Sequence, residues 1–474
     1  MVAKYDAIVI GTGQAGPSLA VRLAGSGRKT AIIERKLFGG TCVNVGCIPT
    51  KTLIASARVA HAARTGVLHG VMIDGALRID MQRVKARKDA VVRESTQGVA
   101  NWLSSTPSLT VIEGHARFEG AHSVSVMGNG NNNSAANSVL LEAPEIFVNV
   151  GGRALVPDMT GLAQVDYFTN STIMDVDFIP EHLVIIGGSY IGLEFAQMYR
   201  RFGSRVTVVE MGKRLIGRED EVVSTAVQSI LENEGVVFRL GAECLKVAKR
   251  GDGVVVGVSC EGAADEIVGS HLLLAVGRVP NTADLGLEKA GVKTDARGFI
   301  TVDEQLRTNV AGIWALGDAN GRGAFTHTAY NDFEIVAANL LDNDARRVSE
   351  RIPAYALFID PPLARVGKSE QEVKTEFAKS GRKALVGRRK MARVGRARER
   401  GETQGFMSVL VDAESKKILG ATLLGIEADE AIHCILDVMY ANAPYSVIQR
   451  AMHIHPTVSE LIPTLLGELQ PLGE

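Results

Sequence analysis

The sequence predicts an α/β protein that contains two doubly wound, Rossmann-like units followed by a C-terminal α+β domain. Two apolar runs rich in β-branched residues, Ala7–Ile10 and Leu183–Ile186, each lead into a glycine-rich turn and then a helical pattern. Each unit continues into a second predicted strand that ends in an acidic residue, Glu34 in the first and Glu210 in the second. After about Ser349 the pattern changes to alternating strand runs and then helices, which is typical of a separate α+β domain.

Length and composition limit the classes of protein to which the chain can belong. Its 474 residues are too many for one ordinary domain of roughly 100–200 residues. Its formal net charge is −1 at pH 7, so no overall field attracts nucleic acid or an anionic membrane. No apolar run reaches the roughly 18 residues of a membrane-spanning helix, and no signal peptide precedes the first strand. We therefore expect a cytoplasmic protein that binds neither nucleic acid nor membrane.

Residues 127–138, rich in Gly and Asn, predict a hairpin loop.

The first glycine-rich turn spans residues 11–16 and reads GTGQAG, the spacing of a dinucleotide-binding fingerprint. Glycines at Gly11, Gly13 and Gly16 let the chain turn sharply, bring backbone amides against a pyrophosphate and pack the helix on the strand. Glu34 is then expected to accept hydrogen bonds from an adenosine ribose. Because strand, turn, helix and acidic residue agree, dinucleotide binding is favoured over a plain packing turn.

The second turn reads GGSYIG between Gly187 and Gly192, with Ser189 in the place of the middle glycine. A side chain as small as serine still allows a diphosphate to approach the backbone closely. Glu210 repels the 2′-phosphate of NADPH and favours the free ribose of NADH. NADH is therefore the expected nucleotide, and NADPH stays open because two basic residues that follow could neutralise its phosphate, Lys213 and Arg214.

The segment after the first unit's second strand carries two cysteines, Cys42 and Cys47, at the start of a predicted helix. At this spacing the two thiols can approach closely enough for a disulfide, and a helix N-terminus stabilises a thiolate when the pair is reduced. In a reducing compartment a close cysteine pair is more often catalytic or metal-binding than structural. No second Cys/His pair lies nearby at metal-ligand spacing, so we expect no metal site. A redox pair is favoured over a zinc site and over two unrelated buried thiols.

In these motifs, and over essentially its whole length, the chain resembles the pyridine nucleotide-disulfide oxidoreductases, the family of lipoamide dehydrogenase and glutathione reductase. The resemblance implies FAD in the first site and a pyridine nucleotide in the second. It implies that residues 1–150 and 272–348 form the FAD-binding domain and that residues 151–271 form an inserted NAD(P)-binding domain. Residues 349–474 would form an interface domain that makes a homodimer.

The resemblance also assigns roles to residues around the flavin. Cys47 would lie against the flavin as the charge-transfer thiolate, and Cys42 would be the interchange thiol that attacks the substrate. Lys51 and Glu194 look like the family's ion pair beside the reactive edge of the flavin ring, and each buried charge makes the other plausible.

Further cofactor contacts follow from the same resemblance. Residues 308–318 look like the family's second FAD signature, in which Asp318 would hydrogen-bond the ribitol. Tyr190 looks like the family's aromatic gate over the nicotinamide pocket. The remaining positions implied are Thr41 and Ala116 for FAD and Gly277 for NAD.

The expected acid/base catalyst is His455, which stands in a His-Pro-Thr context with Glu460 five residues on. An imidazole oriented by a carboxylate can take a proton from an attacking dithiol and return it later. The resemblance implies that His455 serves the cysteines of the other subunit.

The His–Glu pair favours a thiol or disulfide substrate, because that chemistry requires proton transfer to sulfur. The resemblance makes dihydrolipoamide the first substrate to expect. Residues 443–447 and the tail at 461–474 look more like a mercuric reductase-like branch that includes a bacterial reactive-chlorine resistance reductase. A reductase of metal ions or other acceptors is therefore the alternative, although the tail has no Cys after His455, unlike true mercuric reductases.

A hypothesis of a different class is a binding subunit of a larger complex or a nucleic-acid-binding protein. Its support is the basic stretch from Arg382 to Arg400. No aromatic residues interleave with these charges, so stacking on bases is not expected. A solvated or dimer-facing surface is favoured.

Overall fold

The computed structural model describes residues 2–128, 138–260 and 263–473. Residues 129–137, the centre of the predicted hairpin loop, lie outside these ranges. None of the helices in the described ranges is long and apolar enough to cross a bilayer. The cytoplasmic location stays a prediction.

The N-terminal part of the chain builds most of the first unit around a fully buried strand, Ala7–Ile10, because its β-branched residues have apolar neighbours on both faces. Its helices are α1 (Ala15–Gly25), α2 (Gly40–Val45), α3 (Cys47–Thr65) and α4 (Met81–Ser104). Its strands are β1 (Val2–Lys4), β2 (Ala7–Ile10), β3 (Thr30–Glu34), β4 (Leu109–Glu113), β5 (His115–Gly120), β6 (Ser123–Met127), β7 (Val139–Glu142), β8 (Glu145–Val148) and β9 (Gly152–Ala154).

The second unit repeats the alternation of strand and helix. Its parallel sheet has the order β10-β17-β11-β12-β13, and an antiparallel sheet of β14, β15 and β16 packs beside it. The strands are β10 (Phe168–Thr169), β11 (His182–Ile186), β12 (Arg205–Val209), β13 (Val236–Arg239), β14 (Ala242–Arg250), β15 (Gly253–Cys260), β16 (Ala263–Gly269) and β17 (His271–Leu274). The helices are α5 (Tyr190–Phe202) and α6 (Glu221–Asn233).

The chain then returns to the first unit. Strand β19 pairs with β8 and completes a parallel sheet in the order β19-β8-β2-β3-β4, while β18 pairs with β9. Helix α8 packs against α1. The elements of this part are β18 (Arg278–Pro280), α7 (Leu287–Ala290), β19 (Ile313–Ala315) and α8 (Thr326–Leu341).

The C-terminal domain is built on a six-stranded antiparallel sheet in the order β20-β21-β24-β23-β22-β25. Two parallel doubly wound sheets and this α+β domain confirm the predicted fold class. The strands are β20 (Ala354–Leu357), β21 (Leu363–Gly367), β22 (Ala384–Lys390), β23 (Phe406–Asp412), β24 (Ile418–Leu424) and β25 (Gln470–Pro471). The helices are α9 (Glu370–Ser380), α10 (Gly395–Glu399), α11 (Ala428–Ala431), α12 (His433–Tyr440), α13 (Ser446–Gln449) and α14 (Leu461–Gly467).

The domain boundary expected between residues 271 and 272 falls inside a strand. Strand β17 pairs in parallel with β11, in register from Leu183 and His271 to Ile186 and Leu274. The second sheet needs β17 between β10 and β11, so we place the return to the first unit after Leu274.

Both parallel sheets reverse their strand order at the centre. From β2 the chain proceeds outward through β3 and β4, and it returns on the other side of β2 as β8. The second sheet does the same at β11 and β17. Such a reversal leaves a crevice at the carboxyl ends of the two central strands, which is where doubly wound sheets bind ligands.

Candidate active site

The first glycine-rich turn lies at the carboxyl end of β2, against the end of β8. Gly11 has a φ of 102°, and a Cβ there would lie 2.3 Å from the carbonyl oxygen of Asn149. A Cβ on Gly16 would lie 2.2 Å from the carbonyl oxygen of Gly11. The Asn149 side-chain amide donates to the carbonyl oxygens of Gly11 and Gly13 at 3.3 and 3.0 Å. This close-packed backbone at the start of α1 fits the pyrophosphate of a dinucleotide such as FAD.

Glu34 ends β3 beside this turn and is buried. One carboxylate oxygen accepts from the amide of Thr12 at 3.0 Å and from its hydroxyl at 2.6 Å, and the other accepts from the Lys36 amide at 2.8 Å. The Gly114 amide donates to the Glu34 carbonyl oxygen at 2.9 Å, and β5 with the buried Ala116 follows directly. The structure therefore brings the turn, Glu34 and the strand of Ala116 to one end of the sheet.

The segment that carries the cysteines packs directly on the first turn. Gly39 and Gly40 both have positive φ, and a Cβ on Gly40 would lie 2.7 Å from the Cα of Gly13. The Gly39 amide donates to the hydroxyl of Thr12 at 3.1 Å. Thr41 lies in the first turn of α2, one residue after this contact. These glycines let the cysteine helices approach the predicted FAD site closely.

Cys42 in α2 and Cys47 at the start of α3 are free thiols in this structure, and their side chains hydrogen-bond each other. The hydrogen bond from Cys42 lowers the pKa of Cys47 to about 6, and the Thr326 hydroxyl, 3.1 Å from the Cys47 Sγ, and the Lys51 charge act in the same direction. The same thiol pairing and burial raise the pKa of Cys42. Cys47 is therefore the thiolate of the reduced pair at neutral pH.

Lys51 and Glu194 join the first unit to the second. The Lys51 Nζ donates to both carboxylate oxygens of Glu194, at 2.8 and 3.0 Å, and lies 4.5 Å from the centre of the Phe358 ring. The backbone amide of Phe358 also donates to Glu194 at 3.0 Å. Lys51 is one helical turn after Cys47 in α3, so this ion pair lies next to the thiols.

The second glycine-rich turn has the same construction as the first. Gly187 has a φ of 115°, and a Cβ there would lie 2.4 Å from the Ala275 carbonyl oxygen. A Cβ on Gly192 would lie 2.0 Å from the Gly187 carbonyl oxygen. Ser189 is exposed, and Gly277, with a φ of 131°, follows shortly after β17 at the same end of the sheet. The predicted nicotinamide-nucleotide residues of this turn and Gly277 thus line one crevice.

Glu210 closes the second site as Glu34 closes the first. Its carboxylate accepts from the amides of Gly188 at 2.6 Å and Gly212 at 2.7 Å. Arg214, one of the two basic residues that could neutralise the phosphate of NADPH, donates from its guanidinium to the carbonyl oxygen of Gly217 at 3.1 Å. The carboxylate therefore lies at the turn, where the adenosine ribose of a bound dinucleotide is expected.

Tyr190 is the first residue of α5 and lies between the second turn and the redox residues. Its hydroxyl donates to Glu219 at 2.6 Å, and its ring makes edge contacts with Phe325 and Tyr355. Burial raises the pKa of Tyr190, so the hydroxyl stays protonated and acts as a donor. Glu194 is one turn further along α5.

Asp318 lies in a short turn after β19, where the first and second units meet. Its carboxylate pairs with Arg278 at 3.4 Å, and the same guanidinium donates to the Gly152 carbonyl oxygen at 2.7 Å. A Cβ on Gly152 would lie 3.7 Å from the Cβ of Asp318. Asp318 is thus placed at the β9–β18 pair that links the two units.

His455 and Glu460 form a pair that lies apart from the other site residues. The His455 Nδ1 lies 2.8 Å from a carboxylate oxygen of Glu460, and the imidazole side chain is 80% exposed. Within the described ranges of this single chain, no hydrogen bond joins His455 to Cys42 or Cys47. One chain therefore supplies an oriented imidazole but does not bring it to its own thiols.

Sequence reasoning missed two residues that the structure places at the site. Thr326 contacts Cys47, and Glu219 accepts a hydrogen bond from Tyr190. Nothing local in the sequence marks either residue, because each meets its partner only through the packing of distant segments. In residues 2–128, 138–260 and 263–473 no group of three or more His, Cys, Asp or Glu side chains is arranged to hold a metal ion.

Comparison with known families decides the class of protein. A family model described as pyridine nucleotide-disulphide oxidoreductase matches residues 5–332, and the dimerisation domain of the same family matches residues 353–466. The chain belongs to the pyridine nucleotide-disulphide oxidoreductases. This membership confirms the predicted family and its class I branch, and it supports the predicted homodimer.

Several curated relatives of this oxidoreductase span almost the whole chain. The probable pyridine nucleotide-disulfide oxidoreductase RclA from Escherichia coli is 34% identical over 98% of this chain and 99% of its own length. A mercuric reductase from Streptomyces lividans is 31% identical over 97% of this chain and 94% of its own length, and a dihydrolipoyl dehydrogenase from Thermus scotoductus is 33% identical over 96% and 95%.

The solved structures give the same result for the fold. The HOCl-induced flavoprotein disulfide reductase RclA from Escherichia coli superposes with a TM-score of 0.86 at 33% identity, over 98% of this chain and 99% of that one. Its Cu(II) complex superposes with a TM-score of 0.87. The family is FAD-dependent and uses NAD(P)H, which confirms the predicted cofactors at that level.

Proposed function

We propose that this chain is an NADH-dependent flavoprotein that reduces a small disulfide, or oxidises the corresponding dithiol, through Cys42 and Cys47. The observation that carries this proposal is the place of the two thiols, which lie on the segment that packs on the first glycine turn, next to the ion pair of Lys51 and Glu194. The hydrogen bond between the thiols lowers the pKa of Cys47 to about 6 and raises the pKa of Cys42. A pair with unequal thiols has one stable thiolate and one thiol that reacts after losing a proton.

Bound FAD would accept the two electrons of NADH and deliver them to the Cys42–Cys47 disulfide. The net reaction is then NADH, a proton and a disulfide giving NAD⁺ and two thiols. The cysteine segment packs on the first glycine turn, which puts the thiols beside the FAD site. Lys51 and Glu194 hold α3 against α5 and add a positive charge near Cys47.

The exchange with substrate uses the two thiols in sequence. Cys42 gives its proton to a base and attacks the substrate disulfide, which forms a mixed disulfide and releases one substrate thiolate that takes up the proton. The Cys47 thiolate then attacks the Cys42 sulfur, which restores the Cys42–Cys47 disulfide and releases the second substrate thiolate. We assign the base to His455 of a second subunit, because Glu460 orients this exposed imidazole and, in the part of the chain that the structure describes, no hydrogen bond joins it to Cys42 or Cys47.

NADH is the nucleotide that we propose, because Glu210 lies where the 2′-phosphate of NADPH would approach. Dihydrolipoamide is the first dithiol to test, since the chain shares about a third of its residues with dihydrolipoyl dehydrogenases along nearly its whole length. The reaction direction follows from the dithiol and nucleotide supplied.

A second candidate is the reduction of a thiophilic metal ion. It is supported by the likeness to RclA, a disulfide reductase solved as a Cu(II) complex, and by the mercuric reductase among the relatives. Thiolates are the ligands that soft cations prefer, so the reduced thiol pair could bind such an ion. The same reduced pair would then deliver its electrons to the metal ion.

The basic stretch favours neither nucleic acid nor a docking role. Five of its seven arginines form ion pairs with acidic residues of the same domain: Arg382 with Asp412, Arg388 with Glu370, Arg389 with Glu468, Arg396 with Glu399, and Arg400 with Glu402. Charges that are already paired within the chain support a solvated surface.

The test is an anaerobic titration of the flavin with NADH and with NADPH, followed by reoxidation with lipoamide, glutathione disulfide, Cu(II), Hg(II) or a quinone. We expect flavin reduction by NADH and rapid reoxidation by lipoamide. Cys42→Ser should abolish disulfide turnover and keep the flavin, whereas Cys434→Ser, a free thiol elsewhere, should leave turnover unchanged. Retained disulfide turnover in Cys42→Ser would refute the roles given to the thiols, and reoxidation only by metal ions would favour the second candidate.

A further inference from the structure

A buried carboxylate joins the second unit to the C-terminal domain beside the redox site. Glu219 is 2% exposed and accepts hydrogen bonds from three side chains. The hydroxyls of Tyr190 and Tyr355 donate to one of its oxygens at 2.6 and 2.7 Å, and the Arg365 guanidinium donates to the other at 2.6 Å. A buried carboxylate with this many donors is held firmly, because moving it would leave Arg365 as an unpaired buried charge.

The donors come from different domains. Tyr190 begins α5 of the second unit, whereas Tyr355 and Arg365 lie on β20 and β21 of the C-terminal domain. The next residue, Asp220, continues the link by accepting from the amides of Glu370 and Gln371 at the start of α9. Residues 219 and 220 thus fasten the second unit to the C-terminal domain.

The tyrosine held by this link lies next to the thiols. Tyr190 and Glu194 are one turn apart in α5, and Glu194 pairs with Lys51, which is one turn after Cys47 in α3. On its other side the Tyr190 ring contacts Phe325, whose neighbour Thr326 touches Cys47. The ring therefore covers the space between the second glycine turn and the redox pair.

We propose that Glu219, anchored by Arg365 of the C-terminal domain, is a positioning residue that latches the Tyr190 ring over the nicotinamide site while no nucleotide is bound. This inference rests on the proposed function in one respect, that the nicotinamide binds beside Tyr190. A nucleotide must then break the hydrogen bond between Tyr190 and Glu219 to reach the site, and its affinity is lowered by the strength of that bond. The C-terminal domain thereby controls access to the second cofactor site.

The test measures NAD⁺ binding to the flavin-loaded enzyme by calorimetry, so that no turnover is required. Tyr190→Phe keeps the ring and removes the latch, and we expect NAD⁺ to bind about ten- to a hundredfold more tightly, the range of one hydrogen bond to a charged acceptor. Tyr199→Phe is the matched control, since it removes one buried hydroxyl bond on the same helix, to the Ile173 carbonyl oxygen at 2.8 Å. Its NAD⁺ affinity should equal that of the wild type.

A double-variant cycle separates a latch from a general structural role. Glu219→Ala should also tighten NAD⁺ binding, and adding it to Tyr190→Phe should give no further change, because both remove the same bond. If Glu219→Ala lowers the melting temperature too far for use, Tyr190→Phe alone decides. Unchanged or weaker NAD⁺ binding in Tyr190→Phe, or effects that add in the double variant, would overturn the latch.

The outcome is distinguishable from failure of the proposed function. That function fails if NADH does not reduce the flavin and the disulfide of the wild-type enzyme. The latch is decided by NAD⁺ affinity alone, whichever acceptor the enzyme uses. Wild-type enzyme that binds no NAD⁺ at any concentration would overturn both.

Discussion

The two glycine-rich turns have nearly the same backbone and different surroundings. The Gly11 amide donates to the carbonyl oxygen of Ile33 and the Gly187 amide to that of Val209, both at 2.8 Å. In each unit a glutamate at the end of the second strand accepts a hydrogen bond from the backbone amide of the residue after the first glycine. Glu34, which is buried, accepts from Thr12, and Glu210, which is half-buried, accepts from Gly188. The surroundings differ because the cysteine segment packs on the first turn, whereas the second turn contains Tyr190 and an exposed serine, Ser189.

Each turn has the backbone of a dinucleotide site. The segments that pack around the turn determine which chemistry the site can support. At the first turn Gly40 lies against Gly13, so the thiols are held beside the predicted FAD. At the second turn Ser189 is tolerated because its side chain is exposed. The ion pair of Lys51 and Glu194 joins α3, which begins at Cys47, to α5, which begins in the second turn.

The largest effect should come from adding a methyl group at the glycine of either turn that packs directly against a backbone carbonyl oxygen. In Gly16→Ala and Gly192→Ala the new Cβ would lie 2.2 and 2.0 Å from a carbonyl oxygen. We expect Gly16→Ala to lose FAD, measured as flavin absorbance after gel filtration. Gly192→Ala should keep FAD and reduce it with NADH about ten- to a hundredfold more slowly, because overpacking the turn costs about 1–3 kcal/mol.

The control is Gly98→Ala, because Gly98 lies in α4 with no atom within 4 Å of the added Cβ. It should keep both flavin and NADH reduction. Loss of flavin in Gly192→Ala with its retention in Gly16→Ala would reverse our assignment of the two sites.

The two glutamates that close the turns should give matched and smaller effects. Glu34→Ala should weaken FAD binding, whereas Glu210→Ala should raise the KM for NADH about tenfold and reduce the discrimination against NADPH. Each change also leaves two backbone amides without their acceptor, so the free energy of unfolding should fall by about 1–3 kcal/mol. Glu113→Ala, an exposed residue paired with Glu34 in the sheet, is the control. An unchanged NADPH to NADH ratio in Glu210→Ala would show that this residue does not select the nucleotide.

The ion pair between the two units should adjust the pKa of Cys47, which the hydrogen bond from Cys42 lowers most. The reduced enzyme should react with iodoacetamide at Cys47 with an inflection near pH 6, because the thiolate forms above that pH and is protonated below it. Lys51→Met removes a positive charge that lowers this pKa, so the inflection should move to higher pH. Glu194→Gln removes a negative charge that raises it and should move the inflection to lower pH.

Mass spectrometry of the modified peptide identifies the cysteine that reacts. Lys85→Met, which removes a lysine that pairs with Asp89 elsewhere in the first unit, should leave the inflection unchanged. An inflection at the ordinary pH of a cysteine in the wild type would contradict the proposed thiolate.

The smallest effect should come from exchanging the middle residues of the two turns. Ser189→Gly should change the KM for NADH by less than about twofold and the stability by less than about 0.5 kcal/mol, since this side chain is exposed. Gly13→Ser should be somewhat worse, because the added Cβ would lie 3.4 Å from the side-chain amide nitrogen of Asn149, which donates to the turn. Equal effects of the two exchanges on stability and on cofactor retention would remove the distinction that we draw between the turns.

The sequence predicted those parts of the fold and site that depend on short spacings. Gly11, Gly16 and Glu34 could be assigned from their order along the chain, because strand, turn and helix are local. Lys51 and Glu194 are 143 residues apart and could be paired only through the family resemblance. The boundary expected at 271/272 falls inside β17, because short apolar strands look alike in sequence and only pairing with β11 shows to which sheet β17 belongs.

By itself the sequence determined the two dinucleotide turns and the close cysteine pair, because glycine's positive φ and a five-residue spacing act over one or two turns of chain. The lowered pKa of Cys47 and the hydrogen bond from Tyr190 to Glu219 arise only from the tertiary structure. Both depend on hydrogen bonds and charges at about 3 Å, between side chains from segments far apart in sequence. Interactions of that range exist only once the domains have packed together.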